Sequence, residues 1–468
     1  VFDCNRICYQ ADDLCDKPNL HNDPSYVLHS RPAKKQLFSA VTDHSNQVVL
    51  INVSGRDRPG ITSGLVSVLN NYPVHILDID QAVIHNRLSW GMLIDVNPEG
   101  TSPSPSDALF RDMLFTAHDM DLDIRFTPIS EDEYDEWIAG SGHDKHIITL
   151  LGRRLGADIL AQVTQLVSGQ NWNIASIQRV SPRGGAGSAG TIGENTDSHS
   201  TRALSAVELR IHRKSGEIDD LRAACLSLSA KIDADIAIQE DNIWRRNRRL
   251  VCFDMDSTLI QREVIDLMAE AAGVGDRVSA ITASAMNGEI DFSESFAQRL
   301  GLLKGLPESA LEQIDQQIEI TDGAESLLRN LRRLGYTTAI ISGGFTWFAE
   351  RLAERLGIDH VHANELEIVD GQLSGRVTGD IVNESKKAEL LRSIAKNEGV
   401  RLEQVIAVGD GANDIPMLTA AGLGIAFHAK STVRENANTA FGTVGLDGIL
   451  YLIGMRESEI EHETGNAV

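Results

Sequence analysis

The chain has 468 residues, enough for about three domains at roughly 150 residues each, and its 42% hydrophobic and 24% charged residues support packed cores. A formal net charge of −24 argues against a nucleic-acid partner, because binding to phosphate backbones rests on Lys and Arg. No apolar run approaches the ~18 residues of a membrane span and no basic segment leads into an apolar one as in an export signal, so no membrane partner and a cytoplasmic location are expected.

Residues 1–45 show no hydrophobic periodicity and read as a poorly ordered leader. Three of the five cysteines, Cys4, Cys8 and Cys15, lie in it without a second ligand cluster to complete a zinc site. Cys225 and Cys252 read as small hydrophobes, as suits a reducing compartment. Residues 46–130 then alternate strand (Val48–Val53), helix (Ile61–Asn70), strand (Val74–Ile84), strand (Ser89–Val96), helix (Ser106–Ala117) and strand (Asp121–Phe126). Residues 145–240 repeat that order, with strands at His146–Leu151, Trp172–Val180, Ala203–Ile211 and Ile232–Ile238 and helices at Ala157–Val167 and Glu217–Ala230. Two tandem ferredoxin-like βαββαβ units are expected, each with helices on one sheet face only, leaving the other face for a partner or for solvent.

"SGRDRPGI" joins the first strand of the first unit to its helix: Pro59 stops the strand, Gly60 permits close backbone approach, and a helix N-terminus opens at once. This unit resembles the ACT domain, a module that senses small molecules, often amino acids. The resemblance implies an effector site near Asp57 and Gly60. The second unit has "LGRRLGAD" at the same place, keeping a glycine (Gly156) but not the proline. Its loop 181–202 contains "GAGSAG", a formal GxGxxG match, but a polar, Gly-rich stretch follows instead of an amphipathic helix, so it reads as a flexible loop. Arg245, Arg246, Arg248 and Arg249 read as the solvated face of a linker, with a contact to another domain or a phosphate as the alternative.

From residue 248 to about 440 the pattern becomes that of a doubly wound α/β domain with a mainly parallel sheet. Strands are expected at Leu250–Phe253, Thr337–Ile341, Val405–Val408 and Gly424–Phe427, with chemistry at their C-terminal ends. A helical insert over about 264–320 is too long for a simple crossover, Asp370-Gly371 marks a hairpin, and residues 441–468 read as a C-terminal helix and tail. The first strand runs straight into "DMDST". Asp254 and Asp256 repel each other so closely spaced that they need a metal, a proton or open water. A calcium-binding EF-hand loop starting at Asp254 would want Gly and Glu where Leu259 and Ile265 stand, which excludes it. "AIISGGF" puts Ser342 and Gly343 at a strand end before a helix, a setting for a phosphate. Lys387 opens a later helix. "VIAVGDGANDIPML" ends another strand in Asp410, followed by Asn413 and Asp414, and carboxylates from two strands suit Mg²⁺.

This ordered set resembles the haloacid-dehalogenase superfamily over about residues 248–440, and within it the phosphoserine phosphatases; the units ahead of it resemble the long bacterial form. The resemblance implies that Asp254 is the nucleophile and Asp256 the general acid and base. Mg²⁺ would be held by Asp254, the backbone carbonyl of Asp256, and Asp410. Ser342, Gly343, Lys387 and Asn413 would contact the phosphoryl group, with Asp414 fixing Lys387. In the insert, Glu263, Met286, Phe292 and Arg299 match cap residues that hold the substrate, Glu263 meeting its ammonium and Arg299 its carboxylate. The implied reaction is hydrolysis of phosphoserine, with serine as effector and a homodimer joined through the ACT-like units. A phosphatase for another small phosphorylated amine or amino acid, or an amino-acid sensor with an inactive hydrolase domain, are the alternatives.

Overall fold

The computed structural model describes residues 48–96, 98, 106–141, 145–181, 204–213, 217–286 and 289–461. The leader at 1–45 and all but the first residue of the loop at 181–202 lie outside the described residues. The chain forms two compact units, Val1–Gly142 and His143–Val468.

In the first unit, β1 (Val48–Arg56), α1 (Ile61–Leu69), β2 (His75–Ile84), β3 (Arg87–Asp95), α2 (Ser106–Asp119) and β4 (Leu122–Ile129) form the expected βαββαβ unit, with an antiparallel sheet in the order β2-β3-β1-β4. Alternation in β1 turns Val49, Ile51 and Val53 inward, where they meet Ile61, Leu65 and Leu69 at helical spacing along α1. A further helix, α3 (Glu131–Ser141), was not anticipated. Its signal is a capping box: Ser130 and Glu133 exchange hydrogen bonds, the Ser130 N–H and hydroxyl donating to the Glu133 carboxylate at 2.9 and 2.8 Å.

The second unit opens with β5 (Lys145–Gly152), α4 (Ala157–Gly169), β6 (Trp172–Arg179), β7 (Ser205–Arg213), α5 (Ile218–Ser229) and β8 (Asp235–Glu240), with its sheet in the order β6-β7-β5-β8. One face of that sheet packs on α4 and α5 through residues such as Ile148, Val163 and Leu221. The other face is covered by the α/β body of the same chain: Leu151, Ala206 and Ala237 join its largest apolar cluster. The Asp235 carboxylate accepts from the N–H groups of Gly442, Thr443 and Val444 at 2.8, 3.0 and 3.2 Å, and Gln239 donates to the Leu452 carbonyl at 3.0 Å.

In the arginine cluster Arg246 and Arg249 are exposed, as expected of a solvated linker face, but Arg245 and Arg248 are not. Arg245 is 2% exposed and paired with Glu208, and Arg248 is buried and donates to the Glu403 carbonyl. The connecting segment lies between the two packed bodies, where a guanidinium finds buried acceptors instead of water.

The remainder comprises β9 (Leu250–Phe253), the insert helices α6 (Val264–Ala271), α7 (Gly275–Met286), α8 (Phe292–Leu302) and α9 (Glu308–Asp315), then α10 (Ala324–Arg333), β10 (Thr337–Phe345), α11 (Thr346–Leu356), β11 (His360–Val369) and β12 (Gln372–Thr378). It continues with α12 (Glu384–Asn397), β13 (Val405–Gly409), α13 (Ile415–Ala420), β14 (Leu423–Phe427), α14 (Ser431–Asn436), β15 (Thr439–Phe441) and α15 (Gly448–Leu452). The sheet order is β12-β11-β10-β9-β13-β14-β15, parallel except for β12. Strands covered on both faces need no alternation, which is why β9, β13 and β14 are unbroken apolar runs, all buried. Asp370 and Gly371, at φ 51° and 74°, make the tight turn between β11 and β12. The winding direction reverses between β9 and β13, opening a crevice at their C-terminal ends.

Candidate active site

Asp254 leaves β9 and Asp410 leaves β13, so both stand at that crevice. After Asp254 the chain makes one wide turn, closed by Ile260 N–H donating to the Met255 carbonyl at 3.1 Å. Within it Ser257 adopts φ 56°, an uncommon conformation for a residue other than glycine. The turn separates the two aspartates' directions. Asp254 accepts from Met255 N–H at 2.8 Å, whereas Asp256 is turned to the N–H of Val264, at the start of α6, at 2.9 Å. Thr258 Oγ1 lies 3.4 Å from an Asp410 oxygen.

Lys387, in the first turn of α12, is fully buried. Its Nζ sits 2.9 Å from Asp254 Oδ2 and 2.7 Å from Asp414 Oδ1. Asp414 reaches back because Gly409 and Gly411 leave room. A Cβ on Gly409 would stand 2.5 Å from the Asp414 carboxyl carbon, and one on Gly411 would stand 2.1 Å from Asn413 Oδ1. Gly411 N–H also donates to Asp414 Oδ2 at 3.0 Å.

Ser342 and Gly343 stand in β10 where its register with β11 slips between Ile341 and Phe345, a bulge that lifts three residues out of the ladder. Ser342 is buried and its Oγ accepts from Gly344 N–H at 2.9 Å. Gly344, which sequence reasoning passed over, is the residue of closest approach: a Cβ there would stand 2.5 Å from Asp256 Oδ2. Asn364 of β11 was also passed over. It is 1% exposed, donates to the Gly343 carbonyl at 2.8 Å and accepts from Val382 N–H at 2.8 Å. Its only sequence signal is a polar residue inside a strand next to the Ser-Gly-Gly strand.

From the insert, Glu263 lies 3.3 Å from Ser257 Oγ, and its carboxyl is raised by burial and then by the charge of Asp254. Arg299 on α8 is half-buried. Burial lowers its pKa, while Glu263, Asp266 and Asp256 pull it back up. Asp266 is a further acidic neighbour of Arg299 that the sequence did not single out. The side chains of Met286 and Phe292 lie outside the described residues.

Five carboxyl groups, Asp254, Asp256, Glu263, Asp410 and Asp414, thus gather against two cations, Lys387 and Arg299. Burial, then the charges of Asp254 and Asp414, push Asp410 up to about 8. Burial, then Glu263 and Asp254, hold Asp256 well above the usual carboxylate range. Burial disfavours the Lys387 charge, but Asp254 and Asp414 outweigh it and hold the ammonium protonated. Oxygens of Asp254, Asp410 and Asp414 lie within 4.8 Å of one another, a donor set suited to a hard divalent cation. The Asp256 carboxylate is not part of that set.

In the first compact unit, Asp57, Arg58, Gly60, Thr62, Ser63 and Gln81 line a cavity of about 320 Å³. Gly60 is left-handed there, φ 96°, and caps α1. The matching loop of the second βαββαβ unit differs: Gly156 is extended, and Leu155 packs on the apolar core.

Residues 251–419 match the haloacid dehalogenase-like hydrolases, and residues 47–127 match the ACT domain. The chain is 40% identical over 420 residues to the phosphoserine phosphatase of Streptomyces coelicolor, covering 88% of this chain and 93% of that one. It is 39% identical over 413 residues to the phosphoserine phosphatase of Mycobacterium tuberculosis, covering 88% and 94%. Among solved structures, a HAD family hydrolase of Salmonella enterica serovar Typhi superposes with a TM-score of 0.55 at 28% identity, covering 66% of this chain and 99% of that one.

Proposed function

The chain belongs to the phosphoserine phosphatases, haloacid dehalogenase-like hydrolases with an ACT domain, and from that membership we propose how its own residues perform the reaction. It hydrolyses O-phosphoserine to serine and phosphate through an aspartyl-phosphate, the closing step of serine biosynthesis. The observation that carries the assignment of roles is the Lys387 ammonium bridging Asp254 and Asp414 beside the Ser342–Gly344 bulge.

Asp254 attacks phosphorus as the bond from phosphorus to the serine oxygen breaks, and Asp256 delivers its proton to that oxygen. A carboxyl whose affinity for its proton is raised by burial and by the charges of Glu263 and Asp254 suits that donation. The ionised Asp256 then takes a proton from water, which attacks the aspartyl-phosphate, releases phosphate and restores Asp254. Lys387, Ser342, the N–H of Gly343 and Asn413 hold the phosphoryl oxygens, and Asp414 keeps Lys387 in place. The carboxylates fit Mg²⁺, which Asp254, Asp410 and the Asp256 carbonyl would hold; bound there, it would offset the carboxylates' repulsion and draw charge from the phosphoryl group. Glu263 receives the substrate ammonium and Arg299 its carboxylate.

The cavity at Asp57 and Gly60 is the site for an amino-acid effector, and serine, the product, is the candidate. The β2 edge leaves Ile76, Ile79, Val83 and Ile84 exposed, which supports a homodimer through the ACT unit. No helix among the described residues is long and apolar enough to cross a membrane; a cytoplasmic location is part of the same reading.

The test is phosphate release from phosphoserine, phosphoethanolamine and phosphohomoserine in Mg²⁺. Phosphoserine should be preferred because only it presents ammonium and carboxylate at the right reach. Equal turnover of phosphoethanolamine would refute the zwitterion site, and no turnover of any would leave an amino-acid sensor with an inactive hydrolase domain.

A further inference from the structure

Two loops must meet around the phosphoryl group, and they come from distant parts of the chain. One is the bulge Ser342–Gly344 at the end of β10; the other is the start of α12, which carries Lys387. A bulge gives up ladder hydrogen bonds, so the carbonyl of Gly343 needs another donor. That donor is the Asn364 side-chain amide, at 2.8 Å. The other end of the same amide accepts from the N–H of Val382 at 2.8 Å. Val382 precedes Asn383, whose side chain caps α12 by accepting from Lys386 N–H at 3.0 Å and whose carbonyl accepts from Lys387 N–H at 2.9 Å. Asn364 itself is 1% exposed and pairs with Phe345 in the ladder directly after the bulge.

We propose that Asn364 is a positioning residue for phosphoryl transfer: one buried amide ties the phosphate-side bulge of β10 to the segment that launches Lys387, and so fixes the distance between the two halves of the phosphate cradle. The inference rests on the phosphatase reading above. Among the described residues no other side-chain hydrogen bond joins these two segments. An aspartate would keep the acceptor for Val382 but set a carboxylate against the Gly343 carbonyl, and an alanine would lose both bonds. The amide has no role toward the substrate's amino-acid end, which belongs to Glu263 and Arg299 on the insert.

The experiment compares full-length wild type, Asn364→Ala and Asn364→Asp for kcat, inhibition by inorganic phosphate, the ratio of kcat/KM for phosphoserine over phosphoethanolamine, and melting temperature. Both variants should lose kcat by roughly 10²-fold, since a displacement near 1 Å has that effect on aligned groups. Inorganic phosphate should inhibit at least tenfold more weakly, while the substrate ratio stays within about twofold of wild type. A residue that merely supports the fold would lower the melting temperature without moving the phosphate constant of the folded enzyme. Unchanged kcat and phosphate inhibition would overturn the proposal, and so would variants that are unfolded at the assay temperature, which would assign Asn364 to stability. An inactive wild type would instead sink the phosphatase reading on which the proposal rests.

Discussion

Gly344→Ala adds one methyl group where the acid and the bulge are closest. The new Cβ would stand 2.5 Å from Asp256 Oδ2, 2.8 Å from Met255 Cε and 3.1 Å from Ser342 Oγ. The methionine methyl can swing aside, being the end of a flexible chain. The Asp256 carboxylate has less freedom, because its other oxygen is held by Val264 N–H at 2.9 Å. Restoring an ordinary contact of about 3.4 Å requires a shift of about 0.9 Å between the bulge and the acid. A displacement of that size costs roughly 10²-fold in an aligned reaction, and full loss of a general acid costs roughly 10²- to 10⁴-fold. We therefore expect kcat to fall 10²- to 10³-fold with KM changed only a few-fold. Overpacking should lower stability by about 1–3 kcal/mol. Phosphate release with saturating phosphoserine and Mg²⁺ reads the rate, and Gly301→Ala, where a Cβ meets nothing within 4 Å, is the neutral control. A folded Gly344→Ala enzyme with kcat within threefold of wild type would refute the claim that the acid and the bulge are set by this contact.

Arg299→Ala should raise KM for phosphoserine far more than for phosphoethanolamine. The lost charge-assisted contact is worth about 1.5–3 kcal/mol, and equal losses on both substrates would make Arg299 structural. Asp235→Ala should destabilise the His143–Val468 unit by about 2–4 kcal/mol in urea unfolding, because it strips the acceptor from the buried Val444 N–H and two further N–H groups; a change below about 0.5 kcal/mol would mean that water replaces it. Mg²⁺ at 100 times its dissociation constant should stabilise the protein by about 2.7 kcal/mol, and Asp410→Asn should abolish that gain along with turnover; equal melting shifts in both proteins would move the cation elsewhere. Gly60→Val forces a β-branched residue to φ 96° in the cavity loop, so serine inhibition should weaken to what product binding at the catalytic site leaves; an unaltered inhibition curve would remove the effector reading.

The acidic centre was legible in the sequence because its members stand at strand ends. An apolar run followed by a carboxylate marks a sheet's C-terminal edge, and Asp254 and Asp410 each follow such a run. Lys387 was legible only as part of the ordered set, since a lysine opening a helix gives no sign that it is buried. Residues that act across the fold left weaker traces. Asn364 joins two segments whose meeting depends on sheet order, and Gly344 matters through its distance to Asp256, which linear spacing does not encode. The burial of Arg245 and Arg248 was misread because charge runs are usually solvated; these pair with Glu208 and the Glu403 carbonyl, 37 and 155 residues away.

The two βαββαβ repeats show how equal topology carries unequal roles. In the first, the left-handed Gly60 lifts the loop off the helix start and leaves a cavity bounded across the sheet by Gln81. In the second, Gly156 is extended, and a Cβ there would stand 2.3 Å from the Asp158 carboxylate, so the glycine accommodates a close side chain instead of a turn. Leu155 packs on the core, and the sheet face beyond it is closed by the catalytic body, with Asp235 and Gln239 holding the segment from Gly442 to Leu452. A surface that is already buried has little left to offer an effector or a second copy of the chain. The second repeat, by the same residues that close it, becomes a wall of the catalytic unit, and removing it would expose the apolar cluster that Leu151, Ala206 and Ala237 now cover.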